Sequence, residues 1–517
     1  MPLLTLIRPP NVVPKWAYNS VICPPIGMAY IAGSVRESGC KVKCIDSTGE
    51  AISNVYEVYN KKNMVAWGLA PKDILDRIDS QTSILGFSCM FSCQWPSTYQ
   101  LIKEVRQSFP GRPIIVGGEH VTSLPEFTLS NYPEVDICVL GEGEETILEL
   151  IQKLSHGESL EAVAGIAYRN KNSVQRNPSR RRIRNIDGIH LPAWDLIPLH
   201  NYLNNELGYG VNRGRSMPML ATRGCPFECT FCSSPTMWTT KWLARNPKKL
   251  LEEIKLYVGK YRVANIDFYD LTTVIKKEWI IEFCQEIVKN NMNFTWQLPS
   301  GTRSEALDSE VTHWMYQTGC RNITYAPESG SPAVLRRIKK KVHLDKMKDS
   351  MRNAHKNGMK VKCNIIMGLP DENHFELWQT LKLMVELILL GVDDALPNAF
   401  VPYPGSELFS QLQKEGKIDK LDDEYFWKLS DQVSFLKTFS YSKYISSRAL
   451  GLYIFLSLIT FYSLSFLLHP HRFLKTFFVN PFYNIQETKF EHGYQGVLRR
   501  FFSLYHLSGI RKSRGAS

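Results

Sequence analysis

Cys225-Pro-Phe-Glu-Cys229-Thr-Phe-Cys232 places three thiols within eight residues, directly after an apolar strand candidate at 219–222. At C-x3-C-x2-C spacing, three thiolates can wrap one small inorganic cluster. They fill three of the four corners of a 4Fe–4S cube and leave one iron without a protein ligand. An open metal position is what a catalytic site requires, in contrast to a closed structural one. A zinc site or three unrelated thiols are the alternatives. A structural zinc wants a fourth ligand, and no nearby Cys or His stands at a familiar spacing.

From the thiols toward the C-terminus, β-like runs alternate with helix-length stretches. Strand candidates lie at 219–222, 265–269, 294–298, 322–326, 360–366 and 399–403, with helices at 247–257, 277–289 and 374–389 among the intervals. About six βα units predict a partial barrel over residues 215–406, with functional residues on the loops that follow the strands. Toward the N-terminus the same alternation appears: strand candidates at 3–7, 42–45, 84–88, 113–116 and 136–140, helices at 27–38, 97–108 and 144–154. This predicts an α/β, doubly wound, Rossmann-like parallel sheet over residues 1–155. Such sheets bind ligands beyond the carboxyl ends of their strands. Those ends are rich in glycine and cysteine here: Ser88-Cys-Met-Phe-Ser-Cys93, Gly117-Gly-Glu-His120 and Gly141-Glu-Gly-Glu144. Residues 156–214 read as a polar, basic linker. Its Arg180-Arg-Arg-Ile-Arg184 run reads as a solvated face, with phosphate contact as the lesser alternative.

A chain of 517 residues calls for two or three domains. Its 44% apolar and 22% charged residues are ordinary globular composition, and a mean hydropathy of −0.21 excludes a polytopic membrane protein. Twelve cysteines are too few for a disulfide scaffold. With no secretory signal at the start, they are expected in a reducing cytosol. The net charge is +12. Residues 431–517 hold 11 Lys and Arg against 3 Asp and Glu, whereas the rest is close to balanced, which argues against a nucleic-acid enzyme.

Residues 407–517 read as helical and increasingly apolar. Residues 449–468 form a run of 20 without charge, just long enough to cross a bilayer. Tyr453, Ser457 and Thr460 fall on one face of it, which favours a helix lying against protein or in the membrane interface over a span. The basic residues beyond it, Arg472, Lys475, Arg499, Arg500, Arg511, Lys512 and Arg514, would attract an anionic leaflet. The alternative is an apolar cap over the barrel with a solvated basic end.

With Phe231 immediately before the third cysteine, the thiol motif resembles the signature of the radical S-adenosylmethionine superfamily. Thr222-Arg-Gly-Cys225 resembles the family's entry into the cluster loop, and Asp267-Phe-Tyr-Asp270 is similar to its second-strand motif, which approaches the methionine moiety. Asp270-Leu-Thr-Thr273 departs from the paired acids often found there. Arg303 matches the third-strand arginine. Glu328 and Ser329, in Tyr325-Ala-Pro-Glu-Ser-Gly-Ser331, match the fourth-strand motif near ribose or methionine. Asn364, in Asn364-Ile-Ile-Met-Gly-Leu-Pro-Asp-Glu372, matches the segment that frames adenine, and Phe400-Val-Pro-Tyr-Pro-Gly-Ser406 closes the series. The resemblance implies a 4Fe–4S cluster on Cys225, Cys229 and Cys232, with the amino and carboxylate groups of S-adenosylmethionine on the open iron. It also implies reductive cleavage to a 5′-deoxyadenosyl radical that abstracts hydrogen from an unreactive carbon.

The first domain resembles the cobalamin-binding domain of one large subclass, the class B methyltransferase-like enzymes. The resemblance rests on Pro24-Pro-Ile-Gly-Met-Ala-Tyr30, Val116-Gly-Gly-Glu-His120 with Leu124-Pro-Glu126, and Asp136-Ile-Cys-Val-Leu-Gly-Glu-Gly-Glu144. It makes Gly117, Gly118, His120, Gly141 and Gly143 candidate cobalamin contacts. A hydrogen-bonded loop histidine is the other reading of His120. No Asp-x-His-x-x-Gly motif offers a lower cobalt ligand. Cys89 and Cys93 read as buried thiols or, in the manner of methylthiotransferases, as part of a second cluster.

The expected function is methylation of an unactivated carbon of a small-molecule or lipid substrate. The expected electron donor is a flavodoxin or ferredoxin, and the expected location is cytoplasmic, at a membrane face, without nucleic acid. One alternative is radical cyclisation, rearrangement or carbon–carbon coupling on the same architecture. The other is a membrane-tethered iron–sulfur electron-transfer module.

Overall fold

The computed structural model describes residues 2–15, 17, 21–58, 61–171, 173–303, 306–430, 438–483 and 486–495. The five expected strands of the first domain form, as Leu3–Arg8, Lys41–Asp46, Ile84–Ser88, Ile114–Gly117 and Ile137–Val139, and all pair in parallel. Their spatial order is second, first, third, fourth, fifth. This is the flavodoxin-like winding, whose crevice opens where the order reverses, between the Leu3–Arg8 and Ile84–Ser88 strands. Near-continuous apolar runs make the strands because helices cover both faces.

The stretch expected as linker is folded. Ile166–Asn170 and Ser173–Arg176 extend the first sheet as an antiparallel hairpin beside Ile137–Val139. Beyond it, Trp194 and Tyr202 are fully buried. The Trp194 indole donates to Tyr257 of a barrel helix at 3.1 Å, and the Tyr202 hydroxyl donates to Asp46 of the first sheet at 2.7 Å. Arg182 is likewise mostly buried and ion-paired to Glu142, so the arginine run is in part a structural anchor and not wholly a solvated face.

The second sheet has six strands, all parallel: Ser216–Met219, Asn265–Phe268, Thr295–Thr302, Cys320–Glu328, Lys360–Met367 and Asp394–Ala399. The first and last do not pair, so the barrel is an open arc. These two edge strands lie about three and five residues N-terminal to their expected positions. Each carries a proline, Pro218 and Pro397. On a sheet edge proline is tolerated, because its missing N–H has no neighbour to meet there. The same prolines weaken each edge as a template for further pairing.

The apolar run at 449–468 lies within the helix Ser447–Leu468, the one helix among the described residues long and apolar enough to cross a membrane. Leu450, Ile454, Ser457, Phe461 and Ser465, at helical spacing, are buried, and the helix packs on the sixth barrel strand and on the helix His374–Leu389. It is the outer wall of the sixth βα unit. Of the expected polar stripe, Ser457 is buried and Tyr453 bonds to His374 Nδ1 at 3.0 Å, while Thr460 is exposed. Arg472 is buried too, donating to the carbonyls of Gly391 and Val392 beside Asp393, so it cannot serve as a free cation toward a leaflet. Arg499, Arg500, Arg511, Lys512 and Arg514 lie outside the described residues.

Residues 486–495 close the opposite mouth of the barrel. The Lys489 ammonium donates to the carbonyls of Tyr209 and Gly210, and its backbone N–H to Asp394. A cavity beside it, lined by Gln297, Asn322, Lys362 and Asp394 among others, lies at the N-terminal ends of the strands. That is the wrong end of the barrel for the thiols.

If Ser447–Leu468 is a packed wall, Phe461→Ala should cost about 3–5 kcal/mol of stability. Phe455→Ala on its outward side should cost no more than about 0.5 kcal/mol. Urea unfolding followed by circular dichroism distinguishes the two.

Candidate functional site

The three cysteines sit on the loop after the first barrel strand, at the carboxyl end of the sheet, and each is half-buried. Thr222–Arg223 pairs with Leu243–Ala244 to form the neck of this loop. Gly224 is there because its φ is +87° and any Cβ would meet the Lys241 carbonyl at 2.2 Å. Farther along, the Thr230 N–H donates to Ile338 O and its carbonyl accepts from Leu408 N–H. The loop is therefore held at both ends by backbone.

Among the described residues no three Cys, His, Asp or Glu side chains stand close enough to grip a single metal ion. A zinc bound at about 2.3 Å would need its sulfurs within about 4 Å of one another. Three thiols at C-x3-C-x2-C spacing are the donor set of a 4Fe–4S cube with one iron left open. Burial raises all three thiols, Cys232 to about 12, while the charges of Lys340 and Arg303 pull Cys225 and Cys229 back down. Arg303 lies with its guanidinium 3.8 Å from the Phe227 ring centre, and Lys340 stands 6.0 Å from that of Phe231. Two buried cations beside three thiols are what an anionic cluster needs.

Glu328 ends the fourth strand and is ion-paired to Lys340 at 2.8 Å. Its φ of +65° is left-handed, an uncommon state for a residue with a side chain, at a point where the strand register shifts. Strain of this kind collects at ligand sites. Asn364, half-buried on the fifth strand, lies two residues after Lys362 and so on the same face of the strand.

Two expected ligand contacts point elsewhere. Asp270 accepts from the backbone of Ala221 and from both the N–H and hydroxyl of Thr222. Its carboxylate supports the neck of the thiol loop instead of facing a ligand. The Ser329 hydroxyl is fully buried against Thr380 Oγ1 at 3.0 Å and accepts from Ser331 N–H.

In the first domain, Gly118 has φ +122°, and a Cβ there would meet the Cys89 carbonyl at 2.3 Å. Gly117 faces open space. The two loops at the crevice thus run in backbone contact, and Met90 and Phe91 stand 42% and 50% exposed beside them. An exposed apolar lip with glycine next to it fits a flat macrocycle. His120 does not face it: the ring is fully buried, stacked on Trp95 at 4.3 Å, with Nδ1 on Ser92 Oγ at 3.0 Å. Burial lowers it to about 3, so it is a neutral packing histidine. Cys89 is buried with its thiol pushed up, and Cys93 is raised to about 11.

A Cβ on Gly143 would meet Ile31 of the same domain at 2.9 Å, and one on Gly141 would come within 3.8 Å of the Met237 carbonyl, in the barrel helix Ser234–Trp238. Of the two, Gly141 lies at the seam between domains. Arg223 reaches Glu144 at 2.5 Å and Glu142 at 3.2 Å, and lies 5.1 Å from the Tyr30 ring centre. Glu119, beside His120, accepts from the Ser233 hydroxyl next to Cys232. Arg223, Glu119 and Lys340 were not singled out from the sequence. For Arg223 the one available signal was its place two residues before the first thiol.

Two family models match: the B12 binding domain over residues 20–151 and the radical SAM superfamily over 219–384. Over 408 residues the chain is 29% identical to an uncharacterised methyltransferase of Pyrococcus horikoshii, covering 78% of this chain and 82% of that protein. It is 26% identical over 411 residues to the anaerobic magnesium-protoporphyrin IX monomethyl ester cyclase of Rubrivivax gelatinosus, covering 78% and 68%. The fold is similar to TsrM, a radical S-adenosylmethionine methyltransferase from Kitasatospora setae solved with cobalamin and a 4Fe–4S cluster. The TM-score is 0.60 at 14% identity, over 80% of this chain and 75% of that one.

Burial raises Asp270 from 3.8 to about 6. Below about pH 3 the carboxyl is neutral whether the chain is folded or unfolded. As pH rises toward 6 the unfolded chain ionises first, so about 3 kcal/mol of stability is lost across that window. Asp270→Asn should remove this dependence, seen as the wild-type-minus-variant difference in thermal midpoint between pH 4 and 6.

A B12-binding domain followed by an open barrel with this thiol loop places the chain in the radical S-adenosylmethionine superfamily, among the members that carry an N-terminal cobalamin domain.

Proposed function

We propose that the protein is a cobalamin-dependent radical S-adenosylmethionine methyltransferase acting on an unactivated carbon. One observation carries this reading: the loop after the fourth strand of the first domain and the thiol loop of the barrel abut, through Glu119 and Ser233. A methyl carrier and a radical source must address the same carbon, and here the loops that would hold them share one face. When bound, the reduced cluster with S-adenosylmethionine supplies hydrogen-atom abstraction, and cobalamin carries the methyl group.

The chain's own part is positional and electrostatic. Cys225, Cys229 and Cys232 supply the three thiolates, and deprotonation on loading releases protons from groups that burial keeps neutral. Arg303 and Lys340 offset the charge that results. Glu328 and Asn364 line the end of the arc where a nucleoside and amino acid would lie, and Glu328 is held in place by Lys340. Asp270 fixes the neck of the loop, so a thiol cannot drift when the site fills. Gly117, Gly118, Met90 and Phe91 offer a flat apolar seat in the first domain. No histidine there is turned outward to bind cobalt from below, since His120 is packed inside.

Cyclisation on the same architecture is the second reading, favoured by the likeness to the ester cyclase. For location and partners we infer a cytoplasmic enzyme fed electrons by a flavodoxin or ferredoxin. We further infer that it meets an apolar small molecule or lipid at a membrane surface, a reading supported by the outward apolar side of Ser447–Leu468.

Anaerobically reconstituted protein should show the visible spectrum of bound corrinoid and should cleave S-adenosylmethionine to 5′-deoxyadenosine. With methyl-deuterated S-adenosylmethionine, label should appear in a product carbon. Cys229→Ala should lose cluster iron and cleavage together, while keeping the corrinoid spectrum. Cleavage without any bound corrinoid would overturn methyl transfer and leave the cyclase-like reading.

A further inference from the structure

We propose that the outward faces of helices His374–Leu389 and Ser447–Leu468 together form a docking surface for an anionic lipid bilayer, on which the protein lies without crossing it. This rests on the membrane-surface reading above and names the surface and its partner.

Phe375, Trp378, Lys382, Val385 and Leu389 recur at steps of three and four along the first helix, and all are exposed. Phe375 stands at 71%, Trp378 at 63% and Leu389 at 69%. The opposite side of that helix, from Leu377 to Ile388, is the side packed on the barrel. Beside it, Leu452, Phe455, Leu456 and Ile459 of the second helix are also exposed. The two helices lie side by side, linked by His374 and Tyr453 at 3.0 Å, so their stripes join into one patch. On the barrel helices Pro247–Tyr261 and Lys277–Lys289 exposed apolar side chains stand singly, as Leu256 and Val288 do, whereas residues 467–482 continue the exposed apolar surface past the end of Ser447–Leu468. Scattered residues need no partner, whereas a contiguous patch does.

Geometry rules out a span. The buried stripe of Ser447–Leu468 is engaged by the barrel, and Tyr462 bonds Asp394 of the sixth strand. Lipid could reach only the outer side, as it does for interfacial helices. Charge selects the kind of surface. Residues 438–483 contain Lys443, Arg448, Arg472 and Lys475 and no Asp or Glu. Arg472 is buried and Lys443 pairs with Asp371. Lys382 and Arg448, on the two outward stripes, remain exposed, and the nearby Glu386 is paired to Lys348. Trp378 among cations suits the headgroup layer. A second copy of the chain fits worse, because it would set these cations against their own like.

The test uses the full chain, with point substitutions, since removing the sixth wall would unfold the barrel. In sedimentation with vesicles, wild type should bind phosphatidylcholine mixed with phosphatidylglycerol far better than phosphatidylcholine alone. Phe375→Ser with Trp378→Ser should reduce binding about tenfold or more. Arg448→Gln and Lys382→Gln should reduce it about fivefold each, and the control Val288→Ser should change nothing. Thermal midpoint and cleavage of S-adenosylmethionine in solution should be unaffected by all of them. If wild type binds vesicles but the paired substitution does not weaken it, this face is wrong and the membrane reading survives. If wild type binds no vesicle, both fall. Resistance to alkaline extraction, or a concentration-dependent dimer that the paired substitution abolishes, would overturn the proposal in favour of insertion or of self-association.

Discussion

Arg223 is the constraint on which the arrangement of this molecule depends. It stands two residues before the first thiol and buries its guanidinium between Glu142 and Glu144 of the other domain, over the ring of Tyr30. Arg182 adds a second contact to Glu142 and also donates to the carbonyls of Trp238 and Lys241. Replacing such a buried network by apolar groups is often neutral or stabilising, so its worth here is geometric. Charges with fixed partners allow one register between the two domains, where an apolar seam would tolerate several. An enzyme that must present a methyl carrier and a radical source to one carbon needs that single register.

The same economy runs through the barrel. The thiol loop is steadied by Asp270 from the next strand, by backbone pairing with Ile338 and Leu408, and by a glycine where no Cβ fits. Glu328 is held in a left-handed backbone state by its ion pair with Lys340 and by the break in strand register beneath it. These devices preset the loop before any ligand arrives, which lowers the ordering that binding would otherwise require.

The C-terminal part explains itself once the sixth strand is located. Ser447–Leu468 is apolar all round because it has two apolar neighbourhoods, the barrel on one side and an unpartnered exterior on the other. Hydropathy alone gives such a helix the look of a membrane span. Lys489 shows the complementary case: a lysine in a basic tail that, in the folded chain, plugs the lower mouth of the arc.

Both parallel sheets, the order of the βα units and the three thiols were legible in the sequence. They rest on local signals: apolar periodicity, glycine at strand ends, and cysteine spacing. The edge strands were displaced by a few residues because an apolar run marks a strand's neighbourhood, while its ends are set by hydrogen bonds to the adjacent strand. The linker was misread because Trp194 and Tyr202 declare themselves only when both of the surfaces they join exist. Spacing could nominate Asp270, Ser329 and His120, but which way each side chain turns depends on Thr222, Thr380 and Trp95, which lie 25 to 51 residues away along the chain. What the chain alone determined was therefore which chemical groups are present and on which strand ends. Their partners were decided by tertiary packing, because burial and charge pairing are properties of surfaces brought together and not of neighbours in sequence.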